Sequence, residues 1–393
     1  MMRPAVVVLD VLSFLIGLVV VWLALADLFV SVVVPRPAYG RTGPISLIVR
    51  WGWRLWCLIG GRLLSIDKRE GMLGSFAPLA LLVGLATWVV MLIVGFGLML
   101  WSLRLQIHPM PADLGTAIYF SAVSLLTIGF GDVVPAGGLA RVVVLFEAGT
   151  GLGVVALTVS LLFSLYANFQ KREVMVITLD ALAGVPPSGV VLLENSMRLD
   201  MMDHLSDVLD EWKVWAAEVL ESHLAYPILN YFRSSHDNES WVSALGAVLD
   251  ASTLLLTTVD EGARGPAKLM YEVGTHLVED LSHFFNFPHE HEVGVERFEF
   301  DQARETLAEA GYRLRPADEA WAQFAGKRER YAAPLNAMAA YWEIPPSRWI
   351  GDRYPIRHWQ SGHWSQEDGH RRPAGVAFSA SARPAGSPRD SPD

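Results

Sequence analysis

The 393-residue chain is 52% hydrophobic and only 18% charged, which is too apolar for a soluble protein and too polar for a chain that lies wholly within a membrane. Residues 1–173 carry a net charge of +4 and the remainder −14, so a mildly basic membrane part precedes an acidic soluble part. Phosphate binding needs a basic face, and the acidic part therefore argues against nucleic acid as a partner. The single cysteine, Cys57, excludes an intrachain disulfide framework and a cysteine-rich metal site.

Three apolar stretches reach the roughly 20 residues that a helix needs to cross a bilayer. They run from about Ala5 to Val34, between Gly71 and Leu103, and from about Leu139 to Gln170. The alternative for the first stretch is a cleaved signal peptide, because the small residues Ala24 and Ala26 resemble a cleavage site. The apolar run is longer than the roughly 7–15 residues of a signal sequence, which favours a retained span.

A fourth stretch, Pro44–Ser65, has two interpretations. Arg50, Arg54 and Arg62 recur at multiples of four, so they share one side of a helix, and three tryptophans lie among them. A transmembrane position would bury these arginines at about 2.5–3.5 kcal/mol each, whereas an amphipathic helix at the membrane surface avoids that cost. We therefore predict an interfacial helix and keep a fourth span as the alternative.

The positive charges predict the topology. Seven Lys or Arg residues lie between the first two spans, and Lys171 and Arg172 follow the third. Basic loops stay on the cytoplasmic side, so the N-terminus is expected outside and the acidic part inside a bacterial inner membrane. The predicted divisions are an N-terminal span, a basic segment with the interfacial helix, a pore region, a cytoplasmic helical domain and a disordered tail. Their bounds are 1–36, 37–74, 75–172, 173–349 and 350–393.

The segment between the second and third spans is too polar and too rich in Gly and Pro to cross the membrane. It contains a short apolar run, Thr116–Leu126, and then Thr127-Ile128-Gly129-Phe130-Gly131-Asp132. Irregular backbone at membrane depth is tolerated only where it lines a water-filled path or is buried in protein. Backbone carbonyls that face an axis can replace the hydration shell of a cation.

The order of span, half-helix, TIGFGD and span resembles the pore of potassium channels, whose filter is usually TVGYGD. The resemblance covers about Ala77–Phe169 and implies an all-α membrane fold. It also implies that Thr127, Ile128, Gly129, Phe130 and Gly131 bind K⁺ as the permeant ion and that Asp132 lies at the outer mouth. A channel of this kind is not an enzyme and needs no cofactor or further metal. The chain has one pore loop, and four are needed to close a filter, so the resemblance implies a homotetramer in the lipid bilayer.

The segment departs from the family pattern at four positions. Ile128 replaces valine and Phe130 replaces tyrosine, Leu126 stands where a second threonine is common, and Val123 stands where some members have an acidic residue. The first two changes occur together in potassium-selective relatives, notably two-pore-domain channels. Phe130 lacks the hydroxyl that can brace a filter, which leaves a non-selective cation channel as an alternative.

The third span would line the cavity below the filter. Gly151 lies where the family has a hinge glycine, and Gly149 and Gly153 form a pair that equally suits close helix packing. Phe163 is the candidate for an inner gate, in a row with Val155 and Val159, and a lipid-facing position is the alternative. Two acidic residues lie within spans. Asp27 is near the cytoplasmic end of the first, and Glu147, near the outer end of the filter, is expected to brace the filter or to be hydrated.

The soluble part is predicted to be a helical bundle. Apolar spacings of three and four indicate helices over Val190–Leu199, Met201–Leu224, Trp241–Val259, Ala267–Phe285 and Phe300–Ala310. Glu173–Leu179 is a possible short strand. The clusters His289–Glu292 and His236-Asp237 are weak metal signals, for which solvated surface is the preferred interpretation. The alternative for the whole chain is a membrane-anchored sensor or enzyme that acts through residues 174–349. The sequence identifies no gating ligand.

Overall fold

The structure is a computed structural model that describes residues 4–34, 43–63, 66–234, 240–260, 262–287 and 293–350. The described residues form twelve α-helices and a two-stranded antiparallel ribbon. The helices are α1 (Pro4–Val32), α2 (Pro44–Leu63), α3 (Ile66–Ser102), α4 (Leu114–Leu125), α5 (Gly138–Ala183), α6 (Gly189–Arg198), α7 (Leu205–Ala225), α8 (Trp241–Thr257), α9 (Arg264–Phe285), α10 (Arg297–Ala310), α11 (Ala317–Arg328) and α12 (Ala332–Tyr341). The strands are β1 (Ile107–His108) and β2 (Val134–Pro135). The predicted all-α membrane fold is confirmed.

Three of these helices are long and apolar enough to cross a bilayer, and they coincide with the three predicted stretches. The spans are Val6–Val32, Arg69–Ser102 and Gly138–Ala183. At 37 and 46 residues, α3 and α5 are longer than a bilayer requires. Both helices therefore extend beyond the membrane and cross the predicted divisions at residues 74/75 and 172/173.

The first helix packs antiparallel along α3 through contacts at both ends. Arg104 donates to both carboxylate oxygens of Asp10, at 2.6 and 3.1 Å. At the other end, the indole Nε1 of Trp88 donates to Asp27 Oδ2 at 2.8 Å. Between them, a Cβ on Gly95 would lie 2.7 Å from the Val21 side chain, so glycine allows the close approach. Both acidic residues of α1 thus hold the helix in place.

The second helix, α2, packs against the first half of α3. Trp56 Nε1 donates to the Met72 carbonyl at 2.8 Å, and Trp53 on the same face is buried. Arg50 and Arg54 are exposed. α2 is not among the three membrane-spanning helices found in the described residues. Its position at the membrane surface stays a prediction.

Helices α6 to α12 form a bundle around α8, which is buried at every one of its 17 residues. A helix that is mainly apolar all round suits such a central position. Its one charged residue, Asp250, accepts hydrogen bonds from Arg328 Nε at 2.9 Å and from the Tyr331 hydroxyl at 2.7 Å, which pairs the buried charges. The prediction of a strand over Glu173–Leu179 is wrong, because α5 continues through this segment as helix.

Candidate ion pore and its attachment to the bundle

The pore segment begins with a short helix that ends inside the membrane part. Asp113 caps α4, since its Oδ1 accepts a hydrogen bond from the Thr116 amide at 2.7 Å. The 12 residues of α4 are too few to cross a bilayer. α4 lies between α3 and α5, and it corresponds to the half-helix predicted over Thr116–Leu126. Its C-terminal end carries the negative end of the helix dipole, which favours a cation below it.

The backbone after α4 alternates in conformation. Thr127, Gly129 and Gly131 have φ values of 54°, 63° and 79°, whereas Ile128 and Phe130 between them are not in the positive region. A positive φ therefore recurs at every second residue of the segment. Glycine accommodates the left-handed conformation without the cost that a Cβ imposes.

The first amides of this segment have hydrogen-bond partners in α4, whereas its carbonyls have none among the described residues. The amides of Ile128 and Gly129 both donate to the Val123 carbonyl of α4, at 2.9 and 3.4 Å. Within the described part of the chain, no donor reaches the carbonyls of residues 127–131. Ile128 and Phe130 are also exposed in the single chain, Phe130 to 67%. The segment therefore offers a row of free carbonyl oxygens and an uncovered surface.

The outer side of the segment is braced by residues that the sequence analysis did not single out. The hydroxyl of Tyr119 on α4 donates to Asp132 Oδ2 at 2.9 Å. The Gln106 carbonyl accepts from the amides of Ala136 and Gly137, beside the β1–β2 ribbon. Asp132 itself is exposed, and its position at an outer mouth stays a prediction. Tyr119 supplies a hydroxyl on this side of the segment, although Phe130 has none.

Glu147 lies at the contact of three membrane helices. It is fully buried, and its carboxylate forms a hydrogen bond with Ser121 of α4. Ser121 Oγ is also 2.9 Å from the Ile93 carbonyl of α3. Of the two roles predicted for Glu147, burial supports the bracing role and contradicts the hydrated one. Its partner Ser121 has no signal in the sequence, because the two residues are 26 positions apart.

The three glycines that lie close together within α5, at positions 149, 151 and 153, have different surroundings. A Cβ on Gly151 would lie 2.9 Å from the carbonyl carbon of Leu125, at the end of α4, and closer still to its oxygen. A Cβ on Gly149 or Gly153 would meet nothing within 4 Å. Within one subunit, close packing therefore rests on Gly151, and packing through the Gly149 and Gly153 pair stays a prediction. α5 is unbroken at Gly151, and the hinge stays a prediction.

The candidate gate residue projects from the free side of α5. Phe163 is exposed in the single chain, as are Val155 and Val159 in the same row. A row of this kind fits a pore lining or a lipid contact equally well. The inner gate stays a prediction.

One arginine attaches the C-terminal part of α5 to the bundle. Arg172 is fully buried and donates to the carbonyls of Leu229 and Phe232, at 3.0 and 2.8 Å. It also donates to Glu173 and lies 3.1 Å from Nε2 of His223. The carbonyls belong to residues 227–233, a 3₁₀-helix (Pro227–Tyr231) and the two residues after it, which join α7 to the rest of the bundle and are called the turn 227–233 below.

The same turn also attaches α3 to the bundle. Arg233 donates to Glu70 of α3 at 2.6 Å, and Arg69 beside it pairs with Glu343 at the end of the bundle. From α2, Trp53 Nε1 donates to the Tyr341 carbonyl at 3.0 Å. Residues 227–233 thus connect the bundle to both helices of the pore region, over sequence separations that no local pattern reveals.

His223 is neutral within this attachment. Burial and the neighbouring Arg172 guanidinium hold the pKa of His223 well below its ordinary value of 6.5. Its Nδ1 is 2.9 Å from the Val219 carbonyl and its Nε2 faces Arg172, so a neutral ring with the proton on Nδ1 satisfies both contacts.

The described residues contain no group of three or more His, Cys, Asp or Glu side chains that could hold a metal ion. The predicted weak sites at His236-Asp237 and His289–Glu292 lie outside the described residues.

Parts of the chain are similar to known proteins. Residues 79–168 match a family model described as an ion channel. The chain is 27% identical over 225 residues to an uncharacterised membrane protein of Bacillus subtilis, an alignment that covers 56% of this chain and 63% of that protein. It is 34% identical over 82 residues to a Rhodopseudomonas palustris protein provisionally named a potassium channel, which covers 20% of each. The chain thus aligns with less than two thirds of either relative. No solved structure matches it.

The region thus matched contains α4, the TIGFGD segment and most of α3 and α5. The protein is a multi-pass, all-α membrane protein, and its residues 79–168 are similar to an ion channel family.

Proposed function

We propose that this protein is a homotetrameric, potassium-selective channel of a bacterial inner membrane, with its helical bundle in the cytoplasm and its N-terminus outside. The observation that carries the proposal is the alternating backbone of residues 127–131, which leaves a row of carbonyls free of protein donors. Such a row replaces the water that a K⁺ ion sheds when it enters a narrow path.

Four copies of the segment are needed to surround an ion. One chain supplies one row of carbonyls, and its Ile128 and Phe130 side chains are left exposed. Fourfold symmetry around an axis past these residues covers them and brings four rows together. Asp132 at the outer end then raises the local concentration of cations.

The first test is ion selectivity in proteoliposomes. We expect flux to follow a K⁺ gradient, and the reversal potential in mixed K⁺ and Na⁺ to lie close to the K⁺ equilibrium potential. A reversal potential near zero in equal and opposite gradients of the two ions would instead support a non-selective cation channel. Phe130, which has no hydroxyl to brace the filter, is the observation that favours this second candidate.

The attachment of the bundle to α3 and α5 supports a role in gating. Arg172 fixes the inner helix, while Arg233 and Glu343 hold the base of the outer helix. A shift of the turn 227–233 would therefore move both helices that surround the pore.

Acidification tests this coupling through His223. The pKa of His223 is near 6.5 when the ring is exposed to water and lower when the ring is buried beside Arg172. Protonation of the ring therefore favours separation of His223 from Arg172. The attachment is fully stable only above about pH 6.5. Below that pH the attached state loses up to about 1.4 kcal/mol per pH unit, or tenfold in its equilibrium. We expect the open probability to change between pH 7.5 and 5.5 on the cytoplasmic side, and not in His223→Gln. Wild-type opening that is independent of pH, with the tetramer intact, would contradict the coupling.

A further inference from the structure

The inner end of α5 carries an exposed stripe with a seven-residue repeat. Successive positions are separated alternately by four and three residues, which is the spacing of the a and d positions of a coiled coil. All of them are exposed in the single chain. We call this stripe the α5 seam; it consists of Phe163, Ala167, Gln170, Val174, Ile177 and Ala181.

The opposite face of the same helix is covered by the subunit's own bundle. Leu165, Arg172 and Leu179, also seven residues apart, are all buried. They occupy the f position of the repeat, directly across the helix from the seam. The seam therefore points away from its own bundle, and the described residues place no element against it.

Lipid does not explain the apolar residues of the lower seam. Lys171, Arg172, Glu173 and Asp180 lie within this part of α5, and four ionisable residues within ten positions place it outside the hydrocarbon core. Even so, Val174 and Ile177 are 52% and 41% exposed. Apolar residues that recur with a seven-residue period outside the membrane are typical of a helix that packs against another helix.

We propose that the α5 seams of four copies of this chain pair as a parallel four-helix coiled coil below the pore. The proposal rests on the tetramer of the proposed function and names the surface that holds it together outside the membrane. The seam begins at Phe163, where the candidate pore-lining row ends, so the pore axis continues into the coiled coil. From Phe163 to Ala181 it spans about 27 Å, at 1.5 Å per residue.

The residues of the seam suit this role in different ways. Phe163, Val174 and Ile177 supply apolar volume, and Ala167 and Ala181 allow close approach of the helices. Gln170 is the polar member, and a polar residue inside a seam fixes the register of the helices at some cost in stability. The attachment of Arg172 on the opposite face then couples the coiled coil directly to the turn 227–233.

The test is cross-linking of the full-length protein in membranes, in a Cys57→Ala background. Val174→Cys places a thiol in the seam, and Val214→Cys on α7 is the matched control, because Val214 is the same residue type and is 53% exposed. A short bis-maleimide joins thiols of adjacent helices. Since each subunit carries one thiol, the expected product on a denaturing gel is a dimer. We expect the dimer to be the main species for Val174→Cys and a trace for Val214→Cys.

A charge in the seam gives a second readout. Val174→Glu places four like charges around the axis, and we expect loss of the tetramer in detergent at temperatures that the wild type and Val214→Glu withstand. Equal cross-linking of the two cysteine variants in a tetramer that conducts K⁺ would overturn the seam and leave the proposed function standing. Strong cross-linking at position 174 in a tetramer that carries no K⁺ flux before the cross-linker is added, at any tested pH, would support the seam and count against the proposed function. A monomeric wild-type protein would overturn both.

Discussion

Gly129→Ala is expected to abolish K⁺ flux. Gly129 has a φ of 63°, a conformation that costs an L-residue about 1–2 kcal/mol. In a tetramer this cost arises four times around one axis. The backbone can relieve it only by leaving the left-handed region, which turns the neighbouring carbonyls away from the ion path. The measurement is K⁺ flux from proteoliposomes that contain equal amounts of wild-type and variant tetramer.

Gly138→Ala is the control for this experiment. Gly138 is the first residue of α5, its φ is not positive, and a Cβ there would meet nothing within 4 Å. The same change of residue is therefore made without strain, and flux should be retained. If Gly129→Ala conducts K⁺ as well as Gly138→Ala does, the alternating segment is not the ion path.

The features that the sequence predicted correctly depend on residues that are close together in the chain. The three spans follow from apolar length, and the short helix before TIGFGD ends at Leu125, within one residue of its predicted end. The positive φ values of Gly129 and Gly131 suit glycine, whereas that of Thr127 has no signal in the sequence. The helices of the bundle follow from apolar spacing, and most of their ends lie within a few residues of the predicted ones.

The strand predicted over Glu173–Leu179 shows where local patterns mislead. Val174, Val176 and Ile177 are β-branched and favour strands in isolation. Two longer-range facts decide otherwise. The segment continues a helix that begins at Gly138, and Val176 and Leu179 are buried against the bundle with helical spacing. Tertiary packing therefore overrides the local preference.

The contacts that hold the site together join residues far apart in sequence. Glu147 with Ser121, Tyr119 with Asp132, and Arg172 with the turn 227–233 each need the fold to bring them together. Glu147 was visible as an acidic residue in a span, which is costly unless it has a partner. Its partner Ser121 could not be recognised, because serine is too common in apolar helices to carry a signal.

Gly151→Ala is expected to prevent assembly of the pore. The added Cβ would lie inside the contact distance of the Leu125 carbonyl, which is backbone and cannot turn away as a side chain can. α5 and the end of α4 must then separate, which displaces the start of the TIGFGD segment and the nearby contact of Glu147 with Ser121. Overpacking of this kind costs about 1–3 kcal/mol or more in each subunit. We expect the tetramer to be lost on size-exclusion chromatography, together with K⁺ flux.

Gly149→Ala separates this steric effect from the change in helix propensity. Both glycines lie within α5, and alanine in a helix is more favourable than glycine by about 1 kcal/mol at either position. Only position 151 lacks room for the methyl group. A tetramer that is retained in Gly149→Ala and lost in Gly151→Ala therefore assigns Gly151 to the packing of α5 against α4. If Gly151→Ala instead assembles but opens differently, Gly151 is a hinge. A methyl group at a hinge is tolerated in the closed state, and it makes the helix harder to bend.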